Sequence, residues 1–200
     1  MTTARIILAS ASPRRRELLA GLGLPFEVIV AGIDEQPWPG EMPASYALRN
    51  ASEKSREVSQ RLAGDVDAII IAADTIVVVD DHILEKPADT AHAAAMLRRL
   101  SGRWHEVMTG LCVWHRTNGG FYEQAEAVRT GVRFRDVTEA EIAAYVATGE
   151  PMDKAGAYAI QGGAGAFVAE TRGSYSNVVG LPLECLRRLL ASCGLADIGA

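Results

Sequence analysis

The chain has 200 residues, 48% hydrophobic and 22% charged, the balance of an ordinary globular protein long enough to bury a sizeable core. Its formal net charge of −5 argues against a general nucleic-acid-binding surface, and no apolar run approaches the roughly 18 residues that cross a bilayer. Cys112, Cys185 and Cys193 form no CxxC pair, and His82, His92, His105 and His115 have no ligand spacing, which argues against a disulfide scaffold or a zinc site. The first ten residues lack the apolar core and cleavage site of a signal peptide, so the expected location is the cytoplasm.

In chain order, residues 6–9 read as a buried strand. Ser12 is placed to cap a helix with Pro13 at its first position, and Gly23 ends that helix. Residues 26–30 form a second strand; residues 36–43, with three prolines, are loop. Residues 44–62 are helical. The apolar run 68–73 ends on Asp74 and is followed by β-rich residues 76–79, then by a turn at Asp80-Asp81-His82 that returns through Ile83 and Leu84. Residues 90–100 are helical, and 106–114 and 125–134 are strands joined through Asn118-Gly119-Gly120. Thr138 with Glu141 makes a capping box, glycine-rich loops surround Gln161 and Gly173, and a helix spans about 183–193. Strands alternating with helices predict a mixed α/β fold in one domain over 1–200.

Four polar clusters stand out. Ser10, Ser12, Arg14, Arg15 and Arg16 put positive charge at a helix N-terminus, which is already the positive end of the dipole. A bound phosphate would account for them; a solvated face is the alternative. Asp74 ends a buried strand, where α/β proteins often place ligand-facing groups, yet it also fits a turn aspartate. Lys54 and Lys86 are basic, Lys86 on a turn stiffened by Pro87, and singly each reads as a surface lysine. Residues 150–165 surround Asp153, Lys154 and Gln161 with small residues, which suits close approach of backbone to a ligand or a flexible loop. Trp104, Trp114 and Tyr175 read as packing residues rather than base-stacking ones. Together these features predict a phosphate-binding α/β protein whose carboxylates are able to hold a divalent metal. The reaction stays open at this level.

Read as a set, the segments resemble the Maf family of nucleotide pyrophosphatases. The matching motifs are LASASPRRRELL at 8–19, GIDE at 32–35, EKS at 53–55, AADT at 72–75 and EKP at 85–87. They continue with SGRWHEVMTG at 101–110, EPMDKAGAYAIQG at 150–162 and GSYSNVVGLPL at 173–183. The resemblance implies a mixed elongated sheet flanked by helices, two lobes with a central cleft, akin to the inosine-triphosphatase type. It implies hydrolysis of a nucleoside triphosphate between its α- and β-phosphates, a divalent cation (Mg²⁺ or Mn²⁺) and a homodimer. Asp74 would be the general base and, with Glu35, a metal ligand. Ser10, Arg14, Arg15, Lys54 and Lys86 would grip the triphosphate. Arg14, Thr75 and Gln161 would set specificity, and Thr75 and Gln161 look like the branch acting on dTTP and UTP rather than on 7-methyl-GTP. A nucleotide-binding regulator of cell division, or a phosphatase or nucleotidyltransferase of other specificity, are the rival readings.

Overall fold

A computed structural model describes residues 4–64 and 66–195. Seven strands, β1 (Arg5–Leu8), β2 (Glu27–Val28), β3 (Ala68–Val79), β4 (His82–Leu84), β5 (Trp104–Thr117), β6 (Gly120–Phe134) and β7 (Val168–Arg172), form one mixed sheet in the order β2-β1-β3-β5-β6-β7, with β4 pairing β3 outside that path. The chain divides into two compact units. One is Met1–Asp74, Thr109–Val128 and Gly180–Ala200; the other is Thr75–Met108 and Arg129–Val179.

In the first unit, β1 (Arg5–Leu8) pairs in parallel with β2 (Glu27–Val28) and with the opening residues of β3 (Ala68–Val79). Because side chains alternate along a strand, odd and even positions reach different layers. Ile69, Ile71 and Ala73 join Ile6 and Leu8 against Leu19 and Leu22, near α1 (Pro13–Ala20), and against Leu186 and Leu189 of α6 (Leu183–Ser192). Ala68, Ile70 and Ala72 join Ile7 and Ala9 against Ala51 and Val58 of α2 (Pro43–Arg61). Both faces are covered, which is why the run is continuously apolar rather than alternating. Asp74 continues the 68, 70, 72 series and so faces α2. Gly110, in β5 (Trp104–Thr117), lets α2 lie close: a Cβ there would stand 2.2 Å from the Ala47 carbonyl oxygen.

The second unit has its own core. Val77 and Val79 of β3 pack with Ala93, Met96, Leu97 and Leu100 of α3 (Thr90–Leu100), and with Ile142 and Tyr145 of α4 (Glu139–Ala147). Phe134, at the end of β6 (Gly120–Phe134), sits edge-on to both His105 and Tyr158. Burial pushes the His105 imidazole down to about 4, so it is neutral. β3 turns into β4 (His82–Leu84) through Asp80 and Asp81, both at positive φ (51° and 59°), the conformation of a two-residue type I′ hairpin. β7 (Val168–Arg172) pairs antiparallel with β6, and α5 (Tyr175–Val179) follows.

Most predicted elements form, but their extents differ: α1 ends at Ala20 with Gly21 rather than Gly23 as its cap, and β5 and β6 run longer than expected. β3 does not stop at Asp74 but runs through it for 12 residues. Pro43 opens α2 rather than closing the loop before it, since its missing N–H costs least there. The second strand is only two residues long, and β7 and α5 form where only loop was expected. The capping box on α4 is present in both directions. All three cysteines are free; Cys112 and Cys185 are buried and Cys193 half-buried.

Candidate active site

A carboxylate inside a buried strand is costly unless its charge and lone pairs are met. Asp74, 7% exposed, is met from α2. Lys54 Nζ donates to Oδ1 at 2.7 Å and Asn50 Nδ2 donates to Oδ2 at 3.0 Å. Positions 50 and 54 are one helical turn apart and share the face that carries Ala47, Ala51 and Val58. The same Lys54 ammonium lies 2.9 Å from Glu35 Oε1, so one cation bridges two carboxylates. Burial pushes the Asp74 carboxyl up, but the Lys54 charge and hydrogen bond, the Asn50 bond and the Arg15 charge outweigh it. The carboxyl is held below its ordinary range and is ionised at neutral pH.

The turn after β1 builds the second part. Ser10 Oγ is buried and accepts from Ser12 N and from the Arg15 guanidinium, each at 3.2 Å. Arg15 Nε donates to the Gly180 carbonyl at 2.8 Å, while Ser12 caps α1. Burial lowers the proton affinity of Arg15; the Asp74 and Glu35 charges oppose this and Arg14 adds to it. Arg14 is half-buried, and its side chain has no hydrogen bond or ion pair among the described residues. No acidic residue lies in the first turn of α1. The N-terminus of this helix therefore presents unbalanced positive charge, which suits phosphate oxygens.

Six of the nine residues singled out in the sequence, Ser10, Arg14, Arg15, Glu35, Lys54 and Asp74, lie in the first unit; Thr75, Lys86 and Gln161 lie in the second. Direct contacts join Ser10 to Arg15, and Lys54 to both Glu35 and Asp74. Thr75 is half-buried on β3, Lys86 is exposed just past β4, and Gln161 is exposed. The loop bearing Gln161 is tied down by Glu150, which accepts from Tyr145 Oη at 2.9 Å and from Gly163 N at 3.1 Å. Lys154 pairs with Asp153. Trp114 stacks on Phe121 and Arg172 lies over the Trp104 ring, as packing residues do, whereas Tyr175 is exposed rather than packed.

Asn50 escaped the sequence reading. An asparagine in a helix reads as a surface residue, and the available signal was its place four residues before Lys54 on the apolar face of α2. Its Oδ1 is buried with no hydrogen-bond partner among the described residues, on the same amide that holds Asp74.

The donor set fits a divalent cation. Glu35 and Asp74, both paired with the Lys54 ammonium, are hard oxygen donors of the kind Mg²⁺ and Mn²⁺ select. No group of three or more His, Cys, Asp or Glu able to hold a metal occurs among the described residues. Two carboxylates are the usual protein share where phosphate oxygens complete the shell.

Comparison with known proteins bears on the chemistry. The family model described as Maf-like protein matches residues 5–193. The chain is 53% identical over 190 residues to the dTTP/UTP pyrophosphatase of Anaeromyxobacter dehalogenans, covering 95% of this chain and 94% of that one. It is 52% identical over 193 residues to the dTTP/UTP pyrophosphatase of Geobacter sulfurreducens, covering 94% and 98%. The enzyme of the same description from Geobacter metallireducens is 52% identical over 179 residues, covering 90% and 91%.

Proposed function

The chain belongs to the Maf family, and on that premise we propose that it hydrolyses nucleoside triphosphates, dTTP and UTP foremost, to the monophosphate and pyrophosphate. The observation that carries the reading is Asp74: a buried, ionised carboxylate held on both oxygens, beside a second carboxylate and a basic helix N-terminus.

Each Asp74 oxygen has two lone-pair sites and has given one to α2, so each retains one for a water. Asp74 orients that water toward the α-phosphorus. As the new P–O bond forms, the bond to the pyrophosphate oxygen breaks in line with it, and the water's proton passes to Asp74. Paired to Lys54, Asp74 is a weak base. The phosphate chain competes for the ammonium, and as Lys54 turns part of its charge to the substrate, Asp74 gains basicity. Ser10, Arg14 and Arg15 hold phosphate oxygens at the start of α1, with guanidinium forks and backbone N–H groups supplying fixed positive charge. Glu35 and Asp74 would hold the divalent cation, which when bound supplies charge stabilisation on phosphate oxygens. We assign Lys86 to phosphate, and Arg14, Thr75 and Gln161 to selection of the pyrimidine, on the family resemblance. The amide of Gln161 offers both a donor and an acceptor to a pyrimidine edge. A homodimer and a cytoplasmic location belong to the same proposal; no helix among the described residues is long and apolar enough to cross a membrane.

Asp74→Asn tests it. Losing a positioned base costs about 10²–10⁴-fold in turnover, with nucleotide binding retained. Near-normal turnover in that variant would remove Asp74 from the role.

A further inference from the structure

We propose that Arg49 is a positioning residue that fixes Glu35 and, through it, sets how tightly the site takes its divalent cation; this rests on the reading of Glu35 as a ligand. Glu35 sits in the segment 29–42, which has neither helix nor strand, and its carboxylate is nearly half exposed. Nothing in the backbone ladder of the sheet holds it. Side chains of α2 hold it: Lys54 on the carboxylate, Tyr46 on the carbonyl, and Arg49 on the residues that follow.

Arg49 uses all three of its nitrogens. Nε and one terminal nitrogen donate to the two oxygens of Glu41, each at 2.8 Å, in the forked geometry that guanidinium and carboxylate share. The latter nitrogen also donates to the Gln36 carbonyl at 2.9 Å, one residue past Glu35. The third reaches Glu53, one turn along α2, at 3.3 Å. The Trp38 ring, 60% exposed, lies over the guanidinium with its centre 4.2 Å from Cζ. Glu41 closes the segment on itself by accepting from Trp38 N at 3.0 Å. The Arg49 and Glu41 side chains are only 12% and 7% exposed. Beside them, Tyr46 Oη donates to the Glu35 carbonyl at 2.7 Å.

The segment is thus latched at residues 35, 36, 38 and 41 by side chains of α2, the helix that also supplies Asn50 and Lys54. One helix sets the spacing of both carboxylates. Two of the three residues to which Arg49 donates, Gln36 and Glu41, lie in this segment; the third, Glu53, lies on α2 itself. A ligand carboxylate released from its latch must be ordered at the moment of binding, and the entropy of that ordering is taken from affinity.

The experiment compares wild type, Arg49→Gln, Arg49→Lys, Glu35→Gln and the Arg49→Gln/Glu35→Gln double variant. Direct Mn²⁺ binding without nucleotide is read alongside amide-exchange protection over residues 29–42. Arg49→Gln is expected to weaken Mn²⁺ binding about 10–100-fold, the range for residues that orient a metal ligand, with turnover largely restored at saturating Mn²⁺. Arg49→Lys, which keeps the charge and loses the fork, should resemble Arg49→Gln. In the Glu35→Gln background, Arg49→Gln should weaken binding no further. Unchanged Mn²⁺ binding in Arg49→Gln, or independent losses that multiply in the double variant, would overturn the proposal. If Glu35→Gln alone leaves Mn²⁺ binding intact while Arg49→Gln loses protection over 29–42, the latch is real but Glu35 is no ligand. The proposal then falls with the reading it rests on.

Discussion

Lys54→Met removes the ammonium lying between Asp74 and Glu35 and leaves an unbranched side chain of similar length. The side chains of Lys54 and Asp74 are each 10% exposed, so water does little to replace the lost partner. Removing one member of a buried pair costs about 3–5 kcal/mol, which for a chain of this size lowers Tm by roughly 6–20 °C. The loss should depend on pH in a definite direction. In the wild type the Asp74 carboxyl is held below its ordinary range. Its contribution to stability is therefore complete above the unfolded-state pKa and is lost only as pH falls through the lower folded value. In the variant, burial acts without Lys54 and pushes the carboxyl up, so the variant loses stability as pH rises. The gap between the two proteins should open from about pH 4 to about pH 7, where the unfolded carboxyl is charged. Thermal unfolding followed by circular dichroism across that range measures it. A gap below about 1 kcal/mol, the value of an exposed pair, or one that does not change with pH, would refute the reasoning.

Two further outcomes follow from packing and capping. Gly110→Ala would place a methyl 2.2 Å from the Ala47 carbonyl oxygen and 2.6 Å from Leu48 N, both backbone atoms that no rotamer change can move. It should destabilise by about 3 kcal/mol or more, read as a lowered urea midpoint, and a loss under about 1 kcal/mol would mean that α2 shifts easily. Thr138→Ala removes the side chain that accepts from Glu141 N at the start of α4 and should cost about 1 kcal/mol, again by urea unfolding.

The elements legible in the sequence are those whose causes are local. The hairpin turn after Val79, the capping box at Thr138 and Glu141, and the Ser12 cap before Pro13 all depend on residues a few positions apart. β3 was legible as apolar but not as continuous. A charge at position 74 ends a buried strand unless partners arrive, and these partners come from 20 and 24 residues away. Asn50 and Arg49 were illegible for the same reason: in a helix each reads as a solvent-facing polar residue, and only packing aims one at Asp74 and the other at Glu41 and Gln36. The short β7 and α5 lack the length over which periodicity is readable. Arg14, Arg15, Lys54 and Asp74 stood out as misplaced polar residues, and Glu35 was found by family motif. The pairing of Glu35 and Asp74 through Lys54, which sets the state of Asp74, joins residues about 20 positions apart and leaves no local pattern.

The central claim is most directly tested by pyrophosphate release from the purified protein with Mg²⁺ or Mn²⁺. The panel is dTTP, UTP, CTP, 7-methyl-GTP, GTP and ATP, with Asp74→Asn in parallel. Cation-dependent release of pyrophosphate with the matching monophosphate is expected, fastest on dTTP and UTP and lost in the variant. Fastest release on 7-methyl-GTP would keep the reaction and contradict the roles given to Thr75 and Gln161. No pyrophosphate from any triphosphate, with nucleotide binding intact, would contradict the account itself.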